Sequence, residues 1–312
     1  MEGKKKIELI EKIRGWDPSI EVSFTHDSIA EMAHVMLNGG QGRRGFGTSN
    51  DLNVALAKSL SEYIERLAYK NFFKSHPKVK TSNGFAAHPE AASAIRNSRM
   101  EVIERDAFLS SWLNRVTPSW LDEIQLDQLG FEGIANINSA FHNNGLILRP
   151  GIIAKTDDVW TTISMVSCKS SDLGFVIDTS SSDSLVDSLK KSIEGAFANG
   201  TLMIQKRKSE VVFPKEKAIK TPEDHLRYYL KPENAPKWFL DEQSQILILP
   251  SRPIETIEIP FHNPFGIRVY FSSSTRLQNY FTGPTLESDI NMLRMKDISD
   301  SKSFNLSVHP LP

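Results

Sequence analysis

Apolar positions recur along this chain with two different periods, and the change between them separates a helical part from a strand-rich part. From about Leu52 to Phe73, and again from about Pro89 to Leu113, they fall at helical spacing over long stretches. Thr48-Ser-Asn-Asp51 supplies a start signal for the first helix, and His76-Pro77 ends it. Ser82-Asn-Gly84 marks a turn, and Pro89 stands in the first turn of the second helix, where its missing N–H costs least. Residues 5–14 and 27–37 read as shorter amphipathic helices, so residues 1–40 are predicted as an N-terminal helical segment. Gly39 to Gly47, with Arg43 and Arg44, reads as a flexible basic loop.

After Pro118 the texture changes. Leu146–Ala154 and Val159–Cys168 are rich in Ile, Val and Thr and predict two strands of a hairpin across Thr156-Asp-Asp158. Phe175-Val-Ile177 predicts another strand, and Ser184 to Asn199 a third helix stopped at Gly200. Residues 205–245 are charged and proline-punctuated, which predicts loops and a short helix around Asp224-His225. Strands are expected near Gln245–Leu249 and Ile267–Ser272, ahead of a proline-containing tail over 303–312. The pattern predicts an α+β fold of mixed β-sheets and long packed helices. With no low-complexity tract or clear linker, one compact domain over 1–312 is expected.

One short pattern occurs twice. Glu62-Tyr-Ile-Glu65-Arg66 returns 39 residues later as Glu101-Val-Ile-Glu104-Arg105. On a helix each copy projects two carboxylates and a guanidinium from one face. At roughly 100° per residue, Glu62, Glu65 and Arg66 share one arc, while Leu56, Leu60, Ile64 and Leu67 lie opposite. The acidic arc runs on into Tyr69 and Phe73, and in the second helix into Phe108 and Trp112. A solvated face does not usually carry an aromatic pair, so each helix is expected to bury both sides. Clustered buried carboxylates repel one another and need cations to stay charged. Glutamates suit hard cations such as magnesium, and arginines suit phosphate, so the pattern points to nucleotide chemistry.

Composition narrows the field without naming a reaction. Lys+Arg 37 against Asp+Glu 38 gives a net charge of −1, so no global footprint for nucleic acid or an anionic membrane follows. Hydrophobic content of 39% indicates a globular chain. Cys168, the single cysteine, excludes disulfides within the chain and a thiolate-rich zinc site. No run is apolar enough to span a bilayer and none reads as a secretion signal, so the expected location is the cytoplasm. The eight histidines include no H-x₃-H pair, no G-x-S-x-G elbow appears, and the glycine loop lacks the G-K-[ST] of a Walker motif.

Gly47-Thr-Ser-Asn-Asp-Leu-Asn-Val-Ala-Leu-Ala-Lys-Ser-Leu-Ser-Glu62-Tyr-Ile-Glu65-Arg66 resembles the first signature helix of the YcaO family. Gly84-Phe-Ala-Ala followed by Arg99-Met-Glu101-Val-Ile-Glu104-Arg105-Asp106 is similar to its second signature, and Ser188 to Glu194 to its third. Thr221-Pro-Glu-Asp-His225-Leu-Arg-Tyr-Tyr is similar to the family's D-H-x-x-x-Y segment. Arg268-Val-Tyr-Phe and Leu277-Gln-Asn-Tyr-Phe-Thr-Gly283 resemble its late strand and turn. The likeness runs from about residue 40 to residue 312.

This resemblance implies a YcaO-like fold and ATP-dependent activation of a peptide backbone amide. A nucleophile attacks the carbonyl, the oxyanion is phosphorylated, and phosphate leaves. A Cys, Ser or Thr side chain of a ribosomally made precursor gives an azoline ring; sulfide gives a thioamide and an amine an amidine. His309-Pro-Leu-Pro312 resembles the tail of azoline-forming members, which reaches into the active site, and this favours the cyclodehydratase type. Carried over by position, Glu62, Glu65, Glu101 and Glu104 would hold Mg2+ and the ATP phosphates, with Arg66, Arg105 and Lys190 on phosphate. Glu104, Arg105 and Pro312 would be catalytic. The implied partners are the precursor peptide, a ThiF-like or leader-peptide-binding protein, and a flavin-dependent dehydrogenase that oxidises azolines to azoles. Thioamide or amidine formation, and a non-catalytic scaffold, are the alternatives.

The chain departs from the family pattern at several places. Phe46 stands where a glycine-flanked lysine is common, and Lys58 where a serine is expected. Ala86, Pro89 and Ser93 replace polar residues before the second helix, Lys190 replaces an arginine, and Phe197-Ala-Asn199 replaces a Q-x-R. These departures put one metal ligand and some nucleotide contacts in question.

Overall fold

A computed structural model describes residues 2–27, 32–40, 43–77, 79, 81–130, 139, 141–169, 173–206, 213–241, 245–299 and 303–311. In chain order the elements are α1 (Glu2–Trp16), β1 (Glu21–Asp27), β2 (Met32–Gly39), β3 (Arg43–Ser49), α2 (Leu52–Ser75), β4 (Phe85–His88) and α3 (Ala91–Leu113). There follow β5 (Ser119–Trp120), α4 (Glu123–Gln128), β6 (Leu146–Thr156), β7 (Val159–Cys168), β8 (Phe175–Ser182) and α5 (Leu185–Lys206). Last come α6 (Pro222–Tyr229), β9 (Leu247–Leu249), β10 (Glu255–Ile259), β11 (Arg268–Ser273) and α7 (Met292–Met295). The α+β class expected from the sequence is observed. The chain divides into two compact units that interleave in sequence: Met1–Arg99 with Ile254–Ser273, and Met100–Pro253 with Ser274–Pro312.

In the first unit, β1-β2-β3 form an antiparallel sheet and β10-β11-β4 a second one. Asp51 caps α2 by accepting from the N–H groups of Asn53 and Val54, as its start signal predicts. Leu56, Leu60, Tyr63, Ile64 and Ala68 of α2 join Val35 and Leu37 of β2 in a buried core. The helix expected over 27–37 is a strand from Met32: Ala33, Val35 and Leu37 are buried at alternate positions, a period of two rather than 3.6. The loop expected at Gly39–Gly47 is likewise strand β3 from Arg43. Its glycines serve packing. A Cβ at Gly47 would stand 1.9 Å from the Ala55 carbonyl oxygen, and one at Gly45 2.1 Å from that of Ser59. Only glycine lets this strand lie so close to the α2 backbone.

In the second unit, β5-β6-β7-β8 run antiparallel and β9 pairs parallel to β6. The β6–β7 hairpin turns at Asp157, which takes φ 50, a left-handed conformation that Asp tolerates. On one face Ile163, Met165, Phe175 and Ile177 pack with Ala107, Phe108 and Trp112 of α3 and with Val308 and Leu311 of the tail. On the other, hydroxyls join β7 to α5: Thr162 to Ser188 at 2.9 Å and Ser164 to Ser192 at 2.9 Å. Gly200 does not stop α5, which runs on to Lys206. A Cβ there would meet Phe141 at 3.0 Å and Val166 at 3.1 Å, so this glycine marks close packing of the helix.

Candidate functional site

The second copy of the repeated pattern lies in the second unit. Phe108 and Trp112, each 1% exposed, bury one side of α3, as the aromatic positions predict. Glu104 and Arg105 remain largely enclosed, their side chains 14% and 20% exposed. The Thr179 hydroxyl donates to Glu104 Oε1 at 2.6 Å, and Arg105 Nη1 stands 3.6 Å from the same oxygen. Burial raises the Glu104 carboxyl above its ordinary range, against Arg105, the Thr179 hydrogen bond, Lys191 and the Ser181 backbone, which favour the charged form. Burial alone would lower Arg105, but Glu104, Glu101, Tyr280 and Asp178 raise it. Its guanidinium sits 5.4 Å from the centroid of the Tyr280 ring.

Two acids flank this pair. Asp106, the next residue, is 1% exposed and ion-paired to Arg294, which is fully buried. Arg294 Nη2 donates to Asp106 Oδ2 at 2.6 Å and Nε to Oδ1 at 3.0 Å, while Gln278 N–H donates to Oδ1 at 2.7 Å. That joins α3 to the segment carrying Tyr280. Asp178 on β8 presses on α5 at Gly195, where an added Cβ would lie 1.6 Å from Oδ2. Burial, then the charge of Glu104, pushes Asp178 up to about 8, with Arg105 and the Thr179 backbone opposing.

The D-H-x-x-x-Y segment holds the tail. Thr221 and Asp224 form a capping box at the start of α6, which sets His225 and Tyr229 one turn apart on one face. Gly283 N–H donates into His225 Nε2 at 2.8 Å, so the proton lies on Nδ1, which donates to the His309 carbonyl at 2.7 Å. The Tyr229 hydroxyl donates to the Val308 carbonyl, and Trp112 Nε1–H to that of Ser307 at 3.2 Å. Val308, His309 and Leu311 are fully buried. Burial pushes His309 well below its ordinary value; His225 and Arg105 push the same way, and the backbone at Phe281 and Leu311 opposes.

The first copy of the pattern belongs to the first unit and is differently placed. Arg66 donates to Glu62 Oε1 from Nη2 at 2.6 Å and from Nε at 3.0 Å. Glu62 Oε2 accepts from the Phe46 N–H at 2.7 Å, and Lys58 Nζ donates to the Thr48 carbonyl at 3.0 Å. Lys58 and Glu62, one turn apart on α2, thus bond backbone groups of β3. The expectation that this face is enclosed holds only in part: Tyr69 packs edge-on to Phe85, whereas Phe73 is 40% exposed.

Of the residues singled out from sequence, Glu101, Glu104 and Arg105 therefore share the second unit's polar cluster. Glu62, Glu65 and Arg66 lie on α2 in the first unit. Lys190 is on α5, exposed, and Pro312 lies outside the described residues. Among the described residues, no group of three or more His, Cys, Asp or Glu side chains stands at metal-ligating spacing. Sequence reasoning missed Asp106, Asp178, Thr179, Tyr280 and Arg294. Asp178 had a signal, a carboxylate directly after the apolar Phe175-Val-Ile177 run. Arg294 had none. In kind, the cluster's chemistry suits a hard cation: its acids offer only oxygen donors, burial penalises the Glu104 charge, and the Arg105 guanidinium stands beside them.

Residues 68–245, more than half of the chain, match the family model described as YcaO cyclodehydratase, ATP- and Mg2+-binding. The chain belongs to the YcaO family. The matched span contains the second copy of the pattern and begins just after the first. Similar solved structures include YcaO from Methanopyrus kandleri bound with AMPPCP and Mg2+, with TM-score 0.60 and 12% identity over 88% of this chain and 90% of that one. A heterocyclase in complex with substrate and cofactor gives TM-score 0.60 and 11% identity over 81% of this chain and 49% of that one, so this chain spans about half its length. The E. coli microcin synthetase McbBCD complex gives TM-score 0.58 and 12% identity over 82% and 87%. At such identities the likeness speaks for a YcaO fold. No curated protein matches the sequence. No described helix is long and apolar enough to cross a membrane.

Proposed function

We propose that this YcaO-family chain is the ATP- and Mg2+-dependent cyclodehydratase subunit that forms thiazoline or oxazoline rings from Cys, Ser or Thr of a ribosomally made precursor peptide. The observation that carries the reading is the enclosed Glu104–Arg105 pair, braced by Thr179 and stacked on Tyr280. A carboxylate whose charge is penalised by burial gains most from a hard cation, and a raised, fixed guanidinium suits a phosphate oxygen. In this reading Glu101 and Glu104 take magnesium and Arg105 a phosphate, with Lys190 as a further cation. Glu62, Glu65 and Arg66 keep the roles that the first signature implies. Magnesium supplies charge neutralisation on the phosphates. The chain's own part is positioning and electrostatics: Thr179 orients Glu104, and the Asp106–Arg294 pair fixes the helix turn that carries Arg105.

The similar McbBCD complex with pro-MccB17 bound, and the heterocyclase in complex with substrate, support a peptide substrate and partner proteins. A ThiF-like or leader-peptide-binding partner, and a flavin-dependent dehydrogenase, complete the proposal, with the cytoplasm as its setting. The test is mass spectrometry of the precursor incubated with this chain, its partners and Mg–ATP. Loss of one water mass per ring, coupled to ADP release, is expected. One observation favours a second reading, a non-catalytic scaffold: both Glu62 oxygens are already bonded within the first unit. Precursor-stimulated ATP hydrolysis would exclude it.

A further inference from the structure

Phe46 stands 45% exposed on β3, in a sheet whose other face packs on α2. Alternation along the strand fixes the direction of its ring. Gly45 and Gly47, on either side of it, lie against the α2 backbone at Ser59 and Ala55, so Phe46 points from the opposite face. There its ring stacks on that of His34, with centroids 5.9 Å apart and planes 20° from parallel. The Thr48 hydroxyl in turn lies 3.0 Å from His34 Nδ1 and orients that imidazole.

The same strand places charges beside the ring. β3 ends the β1-β2-β3 sheet, and α2 meets its outward backbone groups. The Phe46 N–H donates to Glu62 Oε2 at 2.7 Å, and Lys58 Nζ to the Thr48 carbonyl at 3.0 Å. Arg66, half exposed, donates twice to the other Glu62 oxygen. An exposed aromatic by itself would mean little. Here an exposed ring, an exposed ammonium and a carboxylate–guanidinium pair surround one strand edge. They stand at the surface, so a ligand reaches them without any opening of the fold.

These chemistries match the parts of one molecule. A flat aromatic face stacks on a nucleobase, cations attract its phosphates, and a carboxylate suits the accompanying magnesium. The departures from the family pattern also fall into a single exchange. Phe46 stands in place of a lysine and Lys58 in place of a serine. The cation missing from β3 thus reappears on α2, bonded to the backbone of that same strand, and β3 gains a ring instead.

We propose that Phe46 is the residue of this chain that stacks on the adenine base of ATP, with Lys58 as a phosphate contact beside it. The inference rests on the nucleotide role given above to Glu62 and adds two residues to it. Neither is assigned a part in the ring-forming steps; both act on how the nucleotide is held.

The test separates base from phosphate. The full chain is titrated calorimetrically with Mg–AMPPCP and with Mg–tripolyphosphate, which carries no base. Phe46→Ala is expected to weaken Mg–AMPPCP about 10-fold, the scale of losing one base–aromatic stack, and to leave Mg–tripolyphosphate unchanged. Phe46→Trp is expected to keep the affinity and to add a fluorescence quench on AMPPCP that wild type lacks. Lys58→Ala is expected to weaken both ligands alike. Both positions are exposed, so the variants should melt as wild type does. Equal Mg–AMPPCP affinity in wild type and Phe46→Ala, an equal loss of both ligands in that variant, or no wild-type binding of Mg–AMPPCP would overturn the stacking role. Undiminished affinity in Lys58→Ala would overturn the phosphate contact. The titrations contain no peptide. A chain that shows the expected pattern yet forms no rings would refute the cyclodehydratase reading and leave this inference standing.

Discussion

Two copies of one five-residue pattern, differing only at Tyr63 and Val102, occupy unlike surroundings. Glu62 lies beside the free edge of β3, its carboxylate shared between a backbone N–H and Arg66, and Arg66 is half exposed. Glu104 is enclosed, held by a hydroxyl 75 residues away and by Arg105, which stacks on a tyrosine from the far end of the chain. The helical period dictates which side chains share a face in both copies. Whether that face becomes solvated or chemically charged depends on what the rest of each unit folds against it. A repeated motif is therefore evidence of shared geometry and says little by itself of shared energetics.

The sharpest break between the two regions is expected in stability. Asp106→Asn removes the closer of the two acids paired with the buried Arg294, leaving Asp297 at 3.3 Å, which should cost about 3 kcal/mol in chemical denaturation. A cost under about 1 kcal/mol would mean the pair is far more solvated than its burial indicates.

Next comes a dependence on pH confined to the second unit. Asp178 is pushed up to about 8, above its ordinary 3.8, so between those values the folded state binds a proton that the unfolded state releases. Stability contributed by this group is full below pH 3.8 and declines as pH rises toward about 8. Asp178→Asn should flatten that slope in melts of the magnesium-free chain; an unchanged slope would show that Asp178 stays ionised.

The smallest effect belongs to the first copy. Arg66→Ala removes an ion pair whose members are 50% and 29% exposed, so a change under about 1 kcal/mol is expected, shrinking further with salt. A larger loss would put the two copies on an equal footing and undo the contrast drawn between them.

Much of this was legible in the residues. Asp51 announced α2, Asp157 the hairpin turn, and the aromatic positions seven and eleven after Glu101 the buried side of α3. The failures share a cause. At 27–37 and Gly39–Gly47, short apolar and glycine-rich runs suit helix, loop or strand, and long-range packing on α2 decided for strand. Gly200 failed as a stop because its missing side chain serves Phe141 and Val166 instead. The site was legible as far as its acids and arginines. Tyr280, Thr179 and Arg294 were not, because side chains recruited from distant segments leave no local period.

The central claim is that the enclosed glutamate of the second copy carries Mg–ATP-dependent chemistry on a peptide. It is tested most directly by following the mass of the precursor with wild type and Glu104→Gln, each checked for an unchanged melting curve. The account predicts loss of one water mass per ring with wild type, and at least a 10²-fold slower loss with the variant, the scale of removing a positioned charge in an active site. Equal rates of dehydration from both proteins would contradict it.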